Sequence, residues 1–448
     1  MSKVVRSSKY RHVFGQQAKK EECYQNLKVT KSAWDSNYIA ANTKYFGVIW
    51  EAGGGGSFAV IPHENQGKTS INTPLFAGHK SAVLDIAFHP FNENLVASVS
   101  EDCNVMIWGI PENGPTATIT EPLQTLQGHK RKVGTCSFNP VANNVLATSS
   151  GDFAVKTWDV EAGSVLNSLD QGHTDIIVSV EWNANGSQMV STCKDKKVRL
   201  FDPRSNTITA EAACHLGIKN TRGIFLRDTI LTTGFSKTSE REFKIYDPRN
   251  FTDPLTTTSI DSASGLLMPF FDADNSILYL AGKGDGNIRY YEMVSEAPYF
   301  HYLSEFKTAS PQRGICFIPK RACNVSECEI ARALKVTPST VEPISFRVPR
   351  KSDIFQDDLY PDTYAGEPVL TSQAWASGSN AEPKTCSMAP GFVKKAVVQE
   401  FKPVAQVQTG PKTEKELRDE YEKLKTRVAY LESEIVKKDA KIKELETK

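Results

Sequence analysis

The sequence sets a hydroxyl, an imidazole, a carboxylate and an aromatic ring at matching positions three times. Gly78-His79 is followed by Ser98, Asp102 and Trp108. Gly128-His129 is followed by Thr148, Asp152 and Trp158, and Gly172-His173 by Ser191, Asp195 and Phe201. Hydroxyl, imidazole and carboxylate are the parts of a nucleophilic triad. Recurrence argues for a different use, because an enzyme needs one site and three copies of a set are architecture. An aspartate in a tight turn can accept from backbone N–H groups and from a histidine. The Ser or Thr four residues earlier shares its strand face, since side chains repeat every two residues. The indole N–H can reach that hydroxyl. His–Ser/Thr–Asp–Trp is then a closed polar network, stable when every member is satisfied. Phe201 has no N–H, so the third network is expected to be shorter.

Such networks need strands to hold them. The stretches "GHKSAVLDIAFHP" to "SVSEDCNVMIWG", "GHKRKVGTCSFNP" to "TSSGDFAVKTWD" and "GHTDIIVSVEWNA" to "STCKDKKVRLFD" superimpose. Two later stretches keep the ending and lose the beginning: Glu240 stands six residues before Tyr246, and Asp285 six before Tyr291. Period and paired marks resemble the WD repeat. That resemblance implies a β-propeller with four-stranded blades. Flanking segments such as "YFGVIWEAGGGGSFAVIP" read as degenerate blades. A block of about 350 residues at 40–50 per blade makes seven. The expected fold is all-β, a seven-bladed WD-repeat β-propeller, with a C-terminal extension and a C-terminal α-helical coiled coil.

Composition sets limits. The 448 residues are 40% hydrophobic and 23% charged, and the formal net charge is +1. This argues against wholesale disorder and against a polycation for nucleic acid. No signal peptide and no transmembrane segment is read, so the cytoplasm is expected. The sequons at Asn185, Asn250 and Asn324 are then chance matches. Nine scattered cysteines without a C-x2-C pair read as reduced thiols. Two phosphate-loop readings fail. Before "GKT" at 67–69, Pro62 stands where a glycine is required, and "GKGDG" at 282–286 reads as a hairpin turn. No cofactor, metal site or enzymatic function is expected.

The ends carry local charge. Residues 1–31 hold Lys3, Arg6, Lys9, Arg11, Lys19, Lys20, Lys28 and Lys31 against Glu21 and Glu22. The arm is expected to close the propeller with "YRHVF" and to offer a basic docking surface to an acidic partner. Arg6, Arg11, Lys28 and Lys31 are the contact candidates, with Lys130, Arg131 and Lys132 in an upper loop as a second cluster. Beyond the repeats, Phe346, Phe355, Tyr360, Tyr364 and Trp375 punctuate a Pro-, Asp- and Gly-rich stretch, too many aromatics for a bare linker. The expected organisation is a basic arm at 1–31, a propeller at 32–350, an extended arm packed on it at 351–379, a linker at 380–411 and a coiled coil at 412–448.

The tail repeats every seven residues. Leu417, Leu424, Leu431 and Leu445 take heptad position d, and Tyr421, Val428, Ile435 and Ile442 take position a. Lys438 at d weakens the seam locally. The rod would be roughly 50 Å long.

The chain as a whole resembles the coronins, an actin-binding WD-repeat family, and most closely the short coronins of amoeboid cells. Long blocks outside the general repeat carry this likeness: "VVRSSKYRHVFG", "GFSKTSER", "GLLMPFFDAD", "PKRACNVSECEIAR" and "VPRKSDIFQDDLYPDTYAGEP". The resemblance implies binding to filamentous actin and contact with the actin-related-protein complex that nucleates branches. It also implies work at the cell cortex, leading edge and phagocytic cups, in motility, phagocytosis, macropinocytosis and cytokinesis. "RVAYLE" at 427–432 fits the family's trimerisation pattern. Arg427 at g would pair with Glu432 at e of a neighbouring helix. Branched residues at a with leucine at d favour two strands; the motif favours a trimer, and trimer is expected over dimer. The alternative function is a WD-repeat adaptor for a non-actin assembly.

Overall fold

The computed structural model describes residues 6–389 except 52, 54, 352 and 353, together with 401, 403, 418, 421, 422, 425, 426 and 428. The chain divides into two units, Met1–Pro403 and Val404–Lys448.

The first unit is a seven-bladed β-propeller. Blade 1 is Ile39–Ala41, Tyr45–Trp50, Gly56–Pro62 and Phe76–His79; blades 2 to 6 are four-stranded antiparallel sheets, and the sheet of blade 7 also holds a parallel pair, Tyr24–Gln25 with Gly67–Lys68. Blade 2 begins at Val83, blade 3 at Val133, blade 4 at Ile177, blade 5 at Arg222, blade 6 at Leu267 and blade 7 at Gly314. The first strands of blades 1 to 6 pack side by side in order, and that of blade 7 meets that of blade 1.

The second strands explain the apolar runs in the sequence. Leu95–Ser100, Val145–Ser150 and Met189–Cys193 are buried at every residue, because each is covered by a neighbouring blade on both faces. The outermost strands alternate instead; Thr207–Ala213 buries only Ala212 fully. Seven apolar clusters fill the spaces between adjacent blades. A propeller core is thus a set of slabs between sheets, which suits a long chain of short strands.

The ring closes through the N-terminal arm. Phe14–Gln17 pairs antiparallel with Thr340–Arg347, the third strand of blade 7, and Tyr24–Gln25 pairs with the other end of that strand. The closing strand starts at Phe14 rather than at Tyr10. Tyr10 and Val13 are buried just before it, and Asn275 donates to the Tyr10 hydroxyl at 2.7 Å.

Phe346 lies in blade 7, inside the strand that the arm completes. Beyond it the chain crosses the underside, the end of the blades that carries the turn between first and second strands. Tyr360 donates to the Glu329 carbonyl at 2.9 Å and Tyr364 to the Pro140 carbonyl at 2.7 Å. Trp375 sits between blades 3 and 4, donates to the Gly186 carbonyl at 2.7 Å and meets Trp182 edge-on at 5.7 Å. Contacts continue into the segment read as linker: Thr385–Cys386 pairs with Thr363–Tyr364, and Met388 packs between blades 6, 7 and 1.

In the second unit, residues 418, 421, 422, 425, 426 and 428 are helical. Tyr421 and Val428 are 62% and 53% exposed. Leu417, Leu424, Arg427, Leu431, Glu432, Ile435, Ile442 and Leu445 lie outside the described residues. No helix among the described residues is long and apolar enough to cross a membrane.

Candidate functional site

Two sets of polar residues were expected to matter: the repeated networks and the basic clusters. The networks form first from local structure. In the turn between the second and third strands of blade 2, Asp102 accepts from the amide of Asn104 at 3.0 Å. The same bond joins Asp152 to Ala154 and Asp195 to Lys197, both at 3.1 Å. These side-chain turns hold Cys103, Phe153 and Lys196 in the left-handed region, with φ of 69°, 69° and 65°.

The histidine then arrives from the preceding blade. His79 Nδ1 lies 3.0 Å from Asp102 Oδ2, and its Nε2 lies 2.8 Å from Ser98 Oγ, which accepts from Trp108 Nε1 at 2.8 Å. In blade 3, His129 Nδ1 lies 3.1 Å from Asp152, and Thr148 Oγ1 sits 2.8 Å from both His129 Nε2 and Trp158 Nε1. One tautomer satisfies the whole chain: indole to hydroxyl, hydroxyl to imidazole, imidazole to carboxylate. Burial works to raise the carboxyl of Asp152, but the His129 bond and the Lys130 amide hold it well below the usual range; Asp102 is lowered likewise. Ser98 and Thr148 are fully buried, so their hydroxyls bond to the fold and face no solvent. The networks tie blade to blade.

Blade 4 departs from the expected pattern in a second way. Phe201 shortens the network at one end, and Arg199 takes its carboxylate at the other. Arg199 grips Asp195 through Nη1 at 3.1 Å and Nη2 at 2.6 Å. His173 keeps Ser191 at 2.9 Å, but its Nδ1 has no partner among the described residues. Burial, reinforced by Arg199, lowers His173 to about 4. A guanidinium matches a carboxylate bidentately and displaces the imidazole from it.

Blade 5 carries a network that the spacing rule missed. His215 Nδ1 lies 2.8 Å from Glu242 Oε1, and its Nε2 lies 2.9 Å from Thr232 Oγ1. The reading that paired Glu240 with Tyr246 is corrected: Glu240 is exposed in the turn, whereas Glu242 lies inside the third strand. A longer turn moves the carboxylate onto the strand, and the extra methylene of glutamate restores the reach. The signal was His215 itself, preceded by Cys214 instead of glycine. In blade 6, Asp285 faces Arg241 at 2.7 Å rather than a histidine. Arg241, 1% exposed, also holds Asp261 through two bonds of 2.6 Å.

The basic candidates separate into two groups. Arg6 pairs with Glu292, and Lys9 donates to the Asp358 carbonyl. Glu292 stands beside the turn between third and fourth strands, so Arg6 belongs to the underside. Arg11, exposed, precedes Phe14, which pairs with Arg347 at the same end. Lys28 and Lys31 lie at the upper end, both exposed, against Glu51 at the top of blade 1. The four arm cations therefore do not form one surface.

Lys28 and Lys31 instead lie at the same end of the blades as the upper-loop cluster. The segment at 32–37 crosses the mouth of the central channel. Trp34 Nε1 donates to the Gly134 carbonyl of blade 3 at 3.0 Å, and Lys132 Nζ stands 4.7 Å over the indole. Asp35 accepts from Asn220 of blade 5 at 2.7 Å and pairs with Lys283 of blade 6 at 3.3 Å. Lys283 also donates to the Trp34 carbonyl and the Tyr38 hydroxyl, at 2.7 and 2.9 Å. The strap runs from Lys31, at Glu51 of blade 1, to Trp34 under Lys132 of blade 3, and Lys130 and Arg131 are exposed next to Lys132. Lys80, not singled out from the sequence, occupies the matching exposed position after His79.

Below the strap lies a cavity of about 260 Å³, lined from every blade. It holds Asp85, Glu181 and Arg222. Burial lifts Asp85 to about 6 and Glu181 to about 7, against the pull of Arg222.

Comparison with known proteins decides the family. A relative called Coronin-A, from Dictyostelium discoideum, is 77% identical over 445 residues, covering 99% of this chain and 100% of its own. The chain belongs to the coronin family. The coronin WD40 domain of Toxoplasma gondii, solved by crystallography, is 32% identical with a TM-score of 0.80, over 85% of this chain and 98% of that one. A chain of a mitotic checkpoint complex shares the fold at 12% identity and a TM-score of 0.55, over 78% of this chain and 98% of its own. The family model described as WD domain, G-beta repeat matches residues 69–109, 120–159 and 163–202. A type of WD40 repeat matches 341–383, and a domain of unknown function (DUF1899) matches 3–68. In this coronin the match at 3–68 covers the segment that closes the ring and forms the strap.

Proposed function

We propose that this coronin is an actin-filament-binding scaffold, not an enzyme, that cross-links or bundles filaments and regulates cortical actin turnover. The observation that carries the reading is the strap. On this reading Lys28 and Lys31, at one end of the strap, and Lys130, Arg131 and Lys132, at the loop that Trp34 reaches, serve as one basic surface suited to the acidic surface of a filament. Membership of the coronin family supplies the partner. The underside residues Arg6 and Arg11 are the weaker candidates, because Arg6 is already paired with Glu292.

The second unit supplies valency on this reading. Tyr421 and Val428, both at heptad position a, are exposed in the single chain and would be covered by neighbouring helices. Trimer is favoured over dimer on the "RVAYLE" motif. Contact with the branch-nucleating complex, and work at the cortex, leading edge and phagocytic cups, follow from family membership.

Co-sedimentation with filamentous actin over a salt series tests the surface. Lys28→Asp with Lys31→Asp is expected to weaken binding on the order of tenfold at low salt. The salt dependence should also flatten, since exposed charge is screened beyond about 10 Å at 0.1 M. Unchanged affinity in a folded variant moves the site off this surface, and absence of filament binding by the wild type favours the adaptor reading.

A further inference from the structure

Leu216 and Ile218 are exposed at the upper end of the propeller, in the loop that leaves the outer strand of blade 4 for blade 5. Among the described residues Ile218 is the most exposed large apolar side chain, at 93%, and Leu216 stands at 57%. The other exposed large apolar side chains of the propeller lie on outer strands, in lower turns or on the crossing arm. One such residue on a surface is ordinary. Two within three residues make a small patch, and the loop is built to hold them out.

The hold is visible on each side. Before the patch, His215 is fixed by Glu242 and Thr232, at 2.8 and 2.9 Å. Within it, Gly217 donates to the Phe235 carbonyl at 2.8 Å. A Cβ at 217 would come within 2.5 Å of the Phe235 side chain, so the backbone lies flat against blade 5. After it, Lys219 stands 5.0 Å over the Phe235 ring and donates to the Ser264 carbonyl, and Asn220 donates to Asp35 of the strap at 2.7 Å.

The surroundings are basic. Ile218 borders a cavity of about 580 Å³, which Lys194, Lys196, Lys219 and Lys283 line against Asp35 and Asp175. Lys283 is paired with Asp35 at 3.3 Å, and Glu242, behind His215, is met by Lys244 at 3.8 Å. Lys196 and Lys219 bond to the carbonyls of Leu216 and Ser264, which leave their charge uncompensated.

We propose that Leu216 and Ile218 are the apolar anchor of filament binding, seating in an apolar patch of the filament that carboxylates border. The inference rests on the reading of the upper face as the filament-binding surface, and it supplies a part that reading lacks. Cations steer an encounter and set its salt dependence more than they set affinity. The buried centre of an interface is apolar and its rim polar. Lys28, Lys31, Lys130, Arg131 and Lys132 can form a rim only. The loop offers a centre that is already ordered, so little freedom is lost on binding. Asn220 ties it to Asp35, beside the Trp34 that lies under Lys132.

Co-sedimentation of the full chain with filamentous actin over a salt series reads the anchor apart from the charges. Ile218→Ser is expected to weaken binding about 10- to 100-fold, the worth of one buried isoleucine side chain, with the salt slope of the wild type. Ile218→Val, one methylene smaller, should lose about fourfold. The side chain is exposed, so neither variant should shift the melting temperature. Unchanged affinity in Ile218→Ser, with Lys28→Asp plus Lys31→Asp still weakened, overturns the anchor and leaves the loop to a different partner. A loss confined to low salt overturns it too, because the loop would then act through charge. A wild type that does not bind filaments overturns the reading beneath it, and the anchor with it.

Discussion

Trp34 donates its indole N–H to the carbonyl of Gly134 at 3.0 Å, joining residues separated by 100 positions in the chain. Glycine is required at this contact. A Cβ at position 134 would come within 2.5 Å of the indole ring, too close for any real pair of atoms. The strap and the upper loop of blade 3 are therefore fitted to each other. Two opposite substitutions should have one result. Trp34→Ala removes the ring, and Gly134→Ala pushes it away. Both are expected to lower filament binding by a factor similar to Lys132→Ala, while the blade networks stay intact. Co-sedimentation beside thermal melting separates the two effects. Weak binding in one variant alone would mean that the strap does not position the basic surface.

Thr148 and Ser191 occupy the same place in blades 3 and 4 but carry different loads. Thr148 accepts from Trp158 and bonds to His129; Ser191 bonds to His173 only. Thr148→Val leaves a buried indole N–H unsatisfied, at about 1–3 kcal/mol. It should therefore destabilise more than Ser191→Ala, by about 1–2 kcal/mol. Asp152→Ala, which orphans His129 and the Lys130 amide, should cost at least as much as Thr148→Val. Urea unfolding of the three variants ranks them.

Much of this was legible because repeats state their own rule. Two copies of His, Ser/Thr, Asp and Trp, and a third ending in Phe, fixed the partners of blades 2 and 3, down to which oxygen the indole reaches. The rule failed where chemistry was conserved and spacing was not. Glu242 replaces an aspartate from within a strand, and Arg199 takes Asp195 from its histidine. Neither is visible in a count of residues, because side-chain length and a longer turn compensate for position. The strap was missed for a different reason. "SAWDSN" has no periodicity, and its partners Gly134, Asn220 and Lys283 are supplied by ring closure. Long-range placement of an irregular segment is a property of the assembled ring.

The channel carboxylates should give the fold an unusual dependence on pH. Asp85 and Glu181 are raised to about 6 and 7, from ordinary values of 3.8 and 4.5. The folded chain then holds protons that the unfolded chain releases. Their contribution to stability is present in full below about pH 4 and lost as pH rises through 6 and 7. Glu181→Gln keeps the shape without the charge. It should be more stable than the wild type at pH 8, with the difference vanishing near pH 4. His173 acts in the other direction. Lowered to about 4, it contributes fully above its unfolded value near 6.5 and loses that contribution as pH falls through 4. Melting curves of wild type and Glu181→Gln from pH 4 to 8 check the sign. A constant offset across that range would show that Glu181 does not titrate there.

The tail is the remaining test of the proposed function. A filament is a repeating lattice, so one oligomer can engage several sites. Each further head binds at an effective concentration set by its tether, about millimolar, and avidity can exceed single-head affinity by about 10²–10⁴. Removing residues 404–448 takes away the second unit and leaves the propeller and its crossing arm whole. The truncated chain is expected to be a folded monomer that binds filaments sharply more weakly and bundles them little. Arg427→Ala with Glu432→Ala should act more gently. On the proposed coil the change would remove the pairing that favours three helices and leave the leucines at d, so the oligomer should shift toward dimer or mixed states. Sedimentation equilibrium reads the state, and low-speed co-sedimentation reads bundling. A truncated chain that remains oligomeric places self-association in the propeller. One that is monomeric and still bundles as well as the full chain has two filament-binding surfaces on a single head, and the underside cations Arg6 and Arg11 would be the place to look for the second.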